Sequence, residues 1–448
     1  MRGRPNLYVS YADEQALLPT TVQRVALGIL VALMIYVPLG GTVEIGGATL
    51  QPFGFLSDGD WLRILSQIAL IAVGALGINI LTGLAGQVSL GHAFFMGIGA
   101  YTAAILGSPV GAEGVFGARW GAGFPIWVWL PAAGIAAALV GALVAPTAVR
   151  VRGLYLAFVT LGLVFIGEWM FRNLVSITGG SQSGRTFPAL EFRLWGIDRT
   201  DAPATGPLHV DFASDGPAWF WVDWLDWALG PWINFPDQMS GGAKTYLLLA
   251  AIAAGFVLLA KNLQRTRIGR SFMALRDRDI AAEVMGVPDA GTKLKAFAIS
   301  SFYAGISGAL LGAFVGRLIP ETFNLDLSVQ FIAIILIGGA GTVAGALAGT
   351  VFVVMLPRLV QDFSSWLTAT VASDGPLAPV VDLFVSTGPG DWGLVSTSVG
   401  VTPGLNVAQL NLVLYGALII GFLIFEPLGL YGIWVRIRNY WKSWPFTY

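Results

Sequence analysis

The residues able to do chemistry are few, and their types exclude most of it. The chain has 448 residues and no cysteine, so neither disulfides nor thiolate chemistry is available. Two histidines are too few for a His-rich metal site, and no metal is expected. Gly241-Gly242-Ala243-Lys244-Thr245 is the nearest approach to a phosphate-binding loop. It lacks a glycine directly before the lysine and sits at the edge of an apolar run, not between strand and helix. No ATP hydrolysis by this chain is expected. His92 as a proton relay would need a carboxylate at membrane depth, and Glu168 is the main candidate. Arg172 follows Glu168 at i+4, a spacing that favours a local ion pair instead.

Three polar stretches stand out. Leu81–Tyr101 reads LTGLAGQVSLGHAFFMGIGAY, in which Gly83 and Gly86 break a helix while Gln87, Ser89 and His92 bring hydrogen-bonding groups into an apolar context. Polar side chains there face a pathway or a partner helix, and broken helices expose backbone groups able to hold a solute. Pathway lining and helix–helix hydrogen bonding both fit these residues. Thr178-Gly179-Gly180-Ser181-Gln182-Ser183-Gly184 is a glycine-hydroxyl loop able to approach a ligand or another backbone closely; it also fits a plain helix-terminating turn. Lys261–Lys295 holds eight of the 25 basic residues against four acids, between two apolar segments. Within it, Arg278 to Met285 is expected to form a short helix, with Ala281, Ala282 and Met285 as its apolar face and Gly286 and Pro288 ending it. So short a helix needs something to dock onto.

The elements that position these stretches are membrane spans. Hydrophobic residues make up 55% of the chain and charged ones 11%, with a mean hydropathy of +0.72. Soluble chains carry roughly 25% charge, so an all-α polytopic membrane protein is expected. Fifty-eight glycines fit closely packed transmembrane helices. The near-zero net charge gives no hint of nucleic acid. No cleaved signal peptide is read at the N-terminus.

Candidate spans are Val25–Leu39, Leu62–Leu81, His92–Leu106, Ile126–Val149, Leu154–Met170, Tyr246–Ala260, Ala296–Val315, Val329–Leu356 and Leu410–Leu428. Arg2, Arg4, Arg24, Arg150, Arg152, Arg436, Arg438 and Lys442, placed inside with the central basic loop, make both termini cytoplasmic. That demands an even number of crossings. Val329–Leu356, with Gly338-Gly339-Ala340-Gly341 at its middle, is expected to split into two short, partly re-entrant helices, giving ten crossings.

The chain is expected to be one membrane domain, residues 1–448, with outer insertions at 185–242 and 361–408. Trp219, Trp221, Trp224, Trp227 and Trp232 cluster in the first, with Asp223 and Asp226 among them. They fit a helix lying on the outer leaflet or capping the outer mouth. Gly308, Gly312 and Gly316, and likewise Gly341, Gly345 and Gly349, are expected to be packing faces.

Ile280-Ala281-Ala282 followed by Gly286 resembles the EAA-x-x-x-G loop of ABC importer permeases, with Ile280 in place of the family's Glu. The GLAGQVSLGH run, the trailing GIGAY and the Thr178–Ser181 segment are similar to permeases of branched-chain amino-acid importers, particularly the LivM type. The resemblance covers most of Leu62–Gly184 and Lys261–Leu430. It implies a multi-pass subunit of the bacterial inner membrane forming half of a translocation pathway. The implied partners are a LivH-type permease, two ATPase subunits that bind ATP and Mg, and an extracytoplasmic solute-binding protein; no cofactor would be bound by this chain. It further implies an ATPase-coupling role for Arg276, Arg278, Ile280, Ala281, Ala282, Glu283 and Gly286. Arg276 and Arg278 would be rim charges meeting acids on the ATPase. A urea or short-chain amide importer would share this architecture. An ion-coupled secondary transporter should carry intramembrane carboxylates, which are nearly absent.

Overall fold

The computed structural model describes residues 21–39, 42–45, 48–50, 58–110, 121–151, 153–193, 210–217, 233–234, 238–372, 385–386, 395–396, 405–426 and 428–442. The tryptophan cluster lies outside them. The described chain forms two compact units, 1–328 and 329–448.

The first unit contains α1 (Thr21–Leu39), α2 (Gly59–Ile78), α3 (His92–Gly107), α4 (Ile126–Arg150), α5 (Leu154–Asn173), α6 (Gly241–Arg265), α7 (Arg267–Asp277), α8 (Asp279–Val284) and α9 (Asp289–Val315). Asp58 caps α2 by accepting from the Gly59 N–H at 2.8 Å. Apolar helices in lipid gain nothing from hydrophobicity alone, so close backbone approach must hold them. The glycines supply it around α9. A Cβ on Gly308 would lie 2.0 Å from the Met96 carbonyl oxygen of α3, and one on Gly99 would lie 2.3 Å from Gly305 Cα. A Cβ on Gly305 would meet Ala137 Cβ of α4 at 2.5 Å. On the α2 side, Ser307 Oγ donates to the Leu70 carbonyl at 2.8 Å. Thus α9 is the central post, packed by α2, α3 and α4.

The predicted glycine faces are borne out in part. Gly308 and Gly312 are packing contacts, the latter against the Phe187 ring. Gly316 instead ends α9 with φ +81° and open space around it.

The second unit holds most of α10 (Leu325–Gly338), then α11 (Val343–Ala372), α12 (Val407–Phe425) and α13 (Gly429–Lys442). The Val329–Leu356 segment does break at its glycines: Gly339 and Gly341 have φ of +113° and +85°. The two helices fold back on each other, with a Cβ on Gly349 falling 2.0 Å from the Ile334 carbonyl. Gly345 and Gly349 therefore pack, whereas Gly341 serves the turn. The expectation of two short helices needs correction. α10 has 14 residues, roughly 21 Å, less than a bilayer core of about 30 Å. α11 has 30 residues and is long enough to cross. It carries helix through Ala372, so residues 361–372 continue this helix.

Among the described residues, six helices are long and apolar enough to cross a membrane, and three more apolar helices are shorter. The described residues of 185–239 contribute only two-residue ladders, of which Arg185–Thr186 pairs antiparallel with Arg317–Leu318 just beyond α9.

Candidate functional site

The basic segment folds into more than one short helix. α6 runs on to Arg265, and Thr266 caps α7 by accepting from the Gly269 N–H at 3.3 Å. The α6–α7 corner is tight enough that a Cβ on Gly269 would lie 2.1 Å from the Leu263 carbonyl oxygen. α7 buries Gly269, Phe272 and Leu275. This helix was missed in the sequence, although Ile268, Phe272 and Leu275 at i, i+4, i+7 carry the signal.

The extended backbone of Arg278 separates α7 from α8. Asp279 at the start of α8 suits the positive end of the helix dipole. The end of α8 is a glycine-closed turn: the Val287 N–H donates to the Ala282 carbonyl and the Gly286 N–H to the Glu283 carbonyl, each at 3.0 Å. Gly286 holds φ +87° in open space. Gly286→Val is therefore expected to cost on the order of 1 kcal/mol through backbone strain alone. Thermal unfolding of the purified chain checks this, with Gly286→Asn expected to lose less.

The apolar face of α8 differs from the one expected. Ala282 is 6% exposed and packs into its own chain, so it cannot be the surface offered to a partner. Ile280, Val284 and Met285 are 67%, 82% and 84% exposed. Exposed Ala281 and Glu283 flank them. A residue four positions after Ile280 returns to the same side of the helix, so these side chains form one patch.

The glycine loop begins where α2 passes into a π-helical turn, Asn79–Leu84. The Ala85 N–H reaches back to the Ile80 carbonyl at 3.1 Å, and the Gln87 N–H to Leu81 at 3.0 Å. Gly86 then turns the chain with φ +68°. Ser89 and His92 are buried inside the chain: Ser89 Oγ accepts from the Gly91 N–H, and His92 hydrogen-bonds the Gly74 backbone. Thr160 Oγ1 of α5 accepts from the Leu90 N–H at 2.9 Å. Half-buried Gln87 and exposed Gly86 lie at the surface of the loop.

Two motifs far apart in sequence meet here. Gly83, Gly86 and Gln87 lie at α7: Arg276 Nη1 donates to the Gly83 carbonyl at 2.8 Å, and a Cβ on Gly86 would fall 2.8 Å from Arg276 Cγ. Arg276 is thus turned toward the glycine loop, not held solely as a rim charge. A cleft of about 200 Å³ opens between them, with Gly153, Arg278 and Lys293 on its walls. Lys293 is buried and paired with Asp289 at 2.9 Å.

Thr178, Gly179, Gly180 and Ser181 are not part of this site. They follow the C-terminal end of α5, while Gly153 and Leu156 at its N-terminal end line the cleft. Twenty residues of helix span about 30 Å, so the two sets lie at opposite ends of it. Thr178 is buried, with Oγ1 donating to the Phe171 carbonyl at 2.7 Å. Gly179 at φ +77° has no room for a Cβ against the Gly184 carbonyl. Ser181 is exposed. The Glu168–Arg172 pair forms at 2.6 Å as its spacing indicated, and Arg172 also meets Glu321 at 3.2 Å. Gly241–Thr245 is the capped first turn of α6, where the Gly241 N–H donates to Asp215.

The chain is 30% identical over 303 residues to the high-affinity branched-chain amino acid transport system permease protein LivM of Salmonella typhimurium, covering 68% of this chain and 64% of that one. It is 30% identical to LivM of Escherichia coli K12 over 295 residues, 65% of this chain and 61% of that one. These matches span less than two thirds of either relative's length. The autoinducer 2 import system permease protein LsrC of Klebsiella pneumoniae is 31% identical over 155 residues, 31% of this chain and 44% of that one. No solved structure matches. The family model described as branched-chain amino acid transport system / permease component matches residues 61–423, from the first turn of α2 through most of α12, and the chain belongs to that family.

Proposed function

We propose that this chain is the permease subunit of an ATP-driven importer of branched-chain amino acids, providing half of the translocation pathway. Its partners would be a second permease of LivH type, two ATPase subunits and an extracytoplasmic solute-binding protein. The observation that carries the reading is the exposed Ile280–Val284–Met285 patch on a short helix in the basic segment. An apolar patch at the end of a polar turn needs a partner, and an ATPase cleft on the cytoplasmic side fits the surrounding basic charge. Arg278 at the rim would add salt-dependent steering.

The glycine loop and the Thr178–Ser181 turn are proposed to border the pathway. Gly86, Gln87 and Ser181 would face it, with the buried Gly83, Gly179 and Gly180 shaping the turns behind them. Ser89, His92 and Thr178 would hold those backbones from inside.

The deciding experiment is reconstitution with the neighbouring transport subunits, followed by uptake of leucine, isoleucine and valine against urea. ATP-dependent accumulation of the three amino acids is expected. Accumulation of urea alone would reassign the solute, and uptake without ATPase subunits would sink the ABC reading. Topology is tested separately. Reporters fused at Arg278 and Trp444 should read cytoplasm, and those at Asp211 and Asp374 outside. A cytoplasmic signal at Asp374 would sink the reading in which both α10 and α11 cross.

A further inference from the structure

We propose that Arg276 is the positioning residue that ties the ATPase-facing helix α8 to the broken end of the spanning helix α2. The inference rests on the coupling reading of α8 given above.

The chemistry begins with the π-helical turn. Past the end of a helix the last carbonyls have no intrahelical N–H to accept from. The Gly83 carbonyl is such a group, and it takes Arg276 Nη1 at 2.8 Å. A guanidinium donor makes this bond stronger than one between neutral groups. The contact is also steric. Gly86 lies against the Arg276 backbone and side-chain stem, and a Cβ there would fall 3.2 Å from Arg276 Cα and 2.8 Å from its Cγ. One residue therefore grips the loop by charge and by shape. On its other side, Arg276 lies in the last turn of α7, two residues before the Arg278 cap of α8.

The rest of the linkage is stiff. α7 is anchored by buried Phe272 and Leu275, and the loop beyond Gly86 leads through buried Ser89 directly to His92 at the start of α3. A displacement of α8 carried along α7 would reach Gly83 and Gly86, and through them the junction of α2 and α3. Packed elements move as units between discrete arrangements, and Arg276 is the contact through which these two would move together.

The test uses the whole complex in proteoliposomes, comparing wild type with Arg276→Ala and Arg276→Lys. Three quantities are read: ATPase subunits retained on purification, ATP hydrolysed with loaded binding protein present, and leucine accumulated per ATP hydrolysed. Arg276→Ala is expected to retain the ATPase subunits and to lower leucine per ATP on the order of tenfold. Arg276→Lys keeps the charge without the planar fork and should fall between. A merely structural role would reduce the amount of complex but leave this ratio unchanged. A wild-type ratio in Arg276→Ala overturns the proposal. So does loss of the ATPase subunits in that variant, which would place Arg276 in the docking face. If the wild-type chain itself recruits no ATPase, the transport reading fails first, a result distinct from either.

Discussion

Gly308→Leu is expected to leave no folded chain to extract from the membrane. The position has no slack, because the Cβ alone would sit 2.0 Å from the Met96 carbonyl oxygen and 2.6 Å from its carbon. Both are backbone atoms, so no rotamer change relieves the clash, and α3 and α9 would have to separate. Core overpacking costs about 1–3 kcal/mol where side chains can shift. A backbone–backbone seam belongs at or above the top of that range. Separation would also undo the Gly99–Gly305 approach on the same helix pair. Gly255 on α6 provides the control, since a Cβ there meets nothing within 4 Å. Monodisperse yield and thermal unfolding in detergent should collapse for Gly308→Leu and stay at wild type for Gly255→Ala. A normal melting temperature for Gly308→Leu would show that α3 and α9 are not packed as described.

The second large effect concerns recruitment. Val284→Asp places a charge at the centre of the exposed patch formed with Ile280 and Met285. A buried unpaired carboxylate in a docked cleft would cost at least the ~2 kcal/mol typical of an interface hot spot, or roughly thirtyfold in affinity. ATPase subunits should be lost on purification while the permease itself stays folded, because Val284 is left bare by its own chain. Ala282→Trp should behave in the opposite way. Ala282 is 6% exposed, so the larger ring must first displace its own chain's packing around α8, and the chain's own stability should fall along with recruitment. Equal ATPase recovery for Val284→Asp and wild type would remove α8 as the docking element.

The amino-acid sequence determined the class and most of the described helices, because lipid imposes a length and a polarity that can be counted in one dimension. Spans of apolar residues located the cores of α2 through α6, α9 and α12, and the glycines at 338, 339 and 341 located the α10–α11 break. Gly286 was identifiable as a turn because glycine is the residue that enters positive φ freely. Direction was a different matter. Which side of α8 faces outward depends on where α7 and α9 lie, so the sequence placed Ala282 on the docking face and left Val284 out, whereas in the fold Ala282 is packed and Val284 is bare. The Gly308 series was legible as a packing face by its spacing, but its last member, Gly316, proved a cap because α9 stops there. The meeting of Arg276 with Gly83 and Gly86 had no trace in the sequence at all. Arg276 and Gly83 are 193 positions apart, and only the folded bundle brings the end of α2 beside the end of α7.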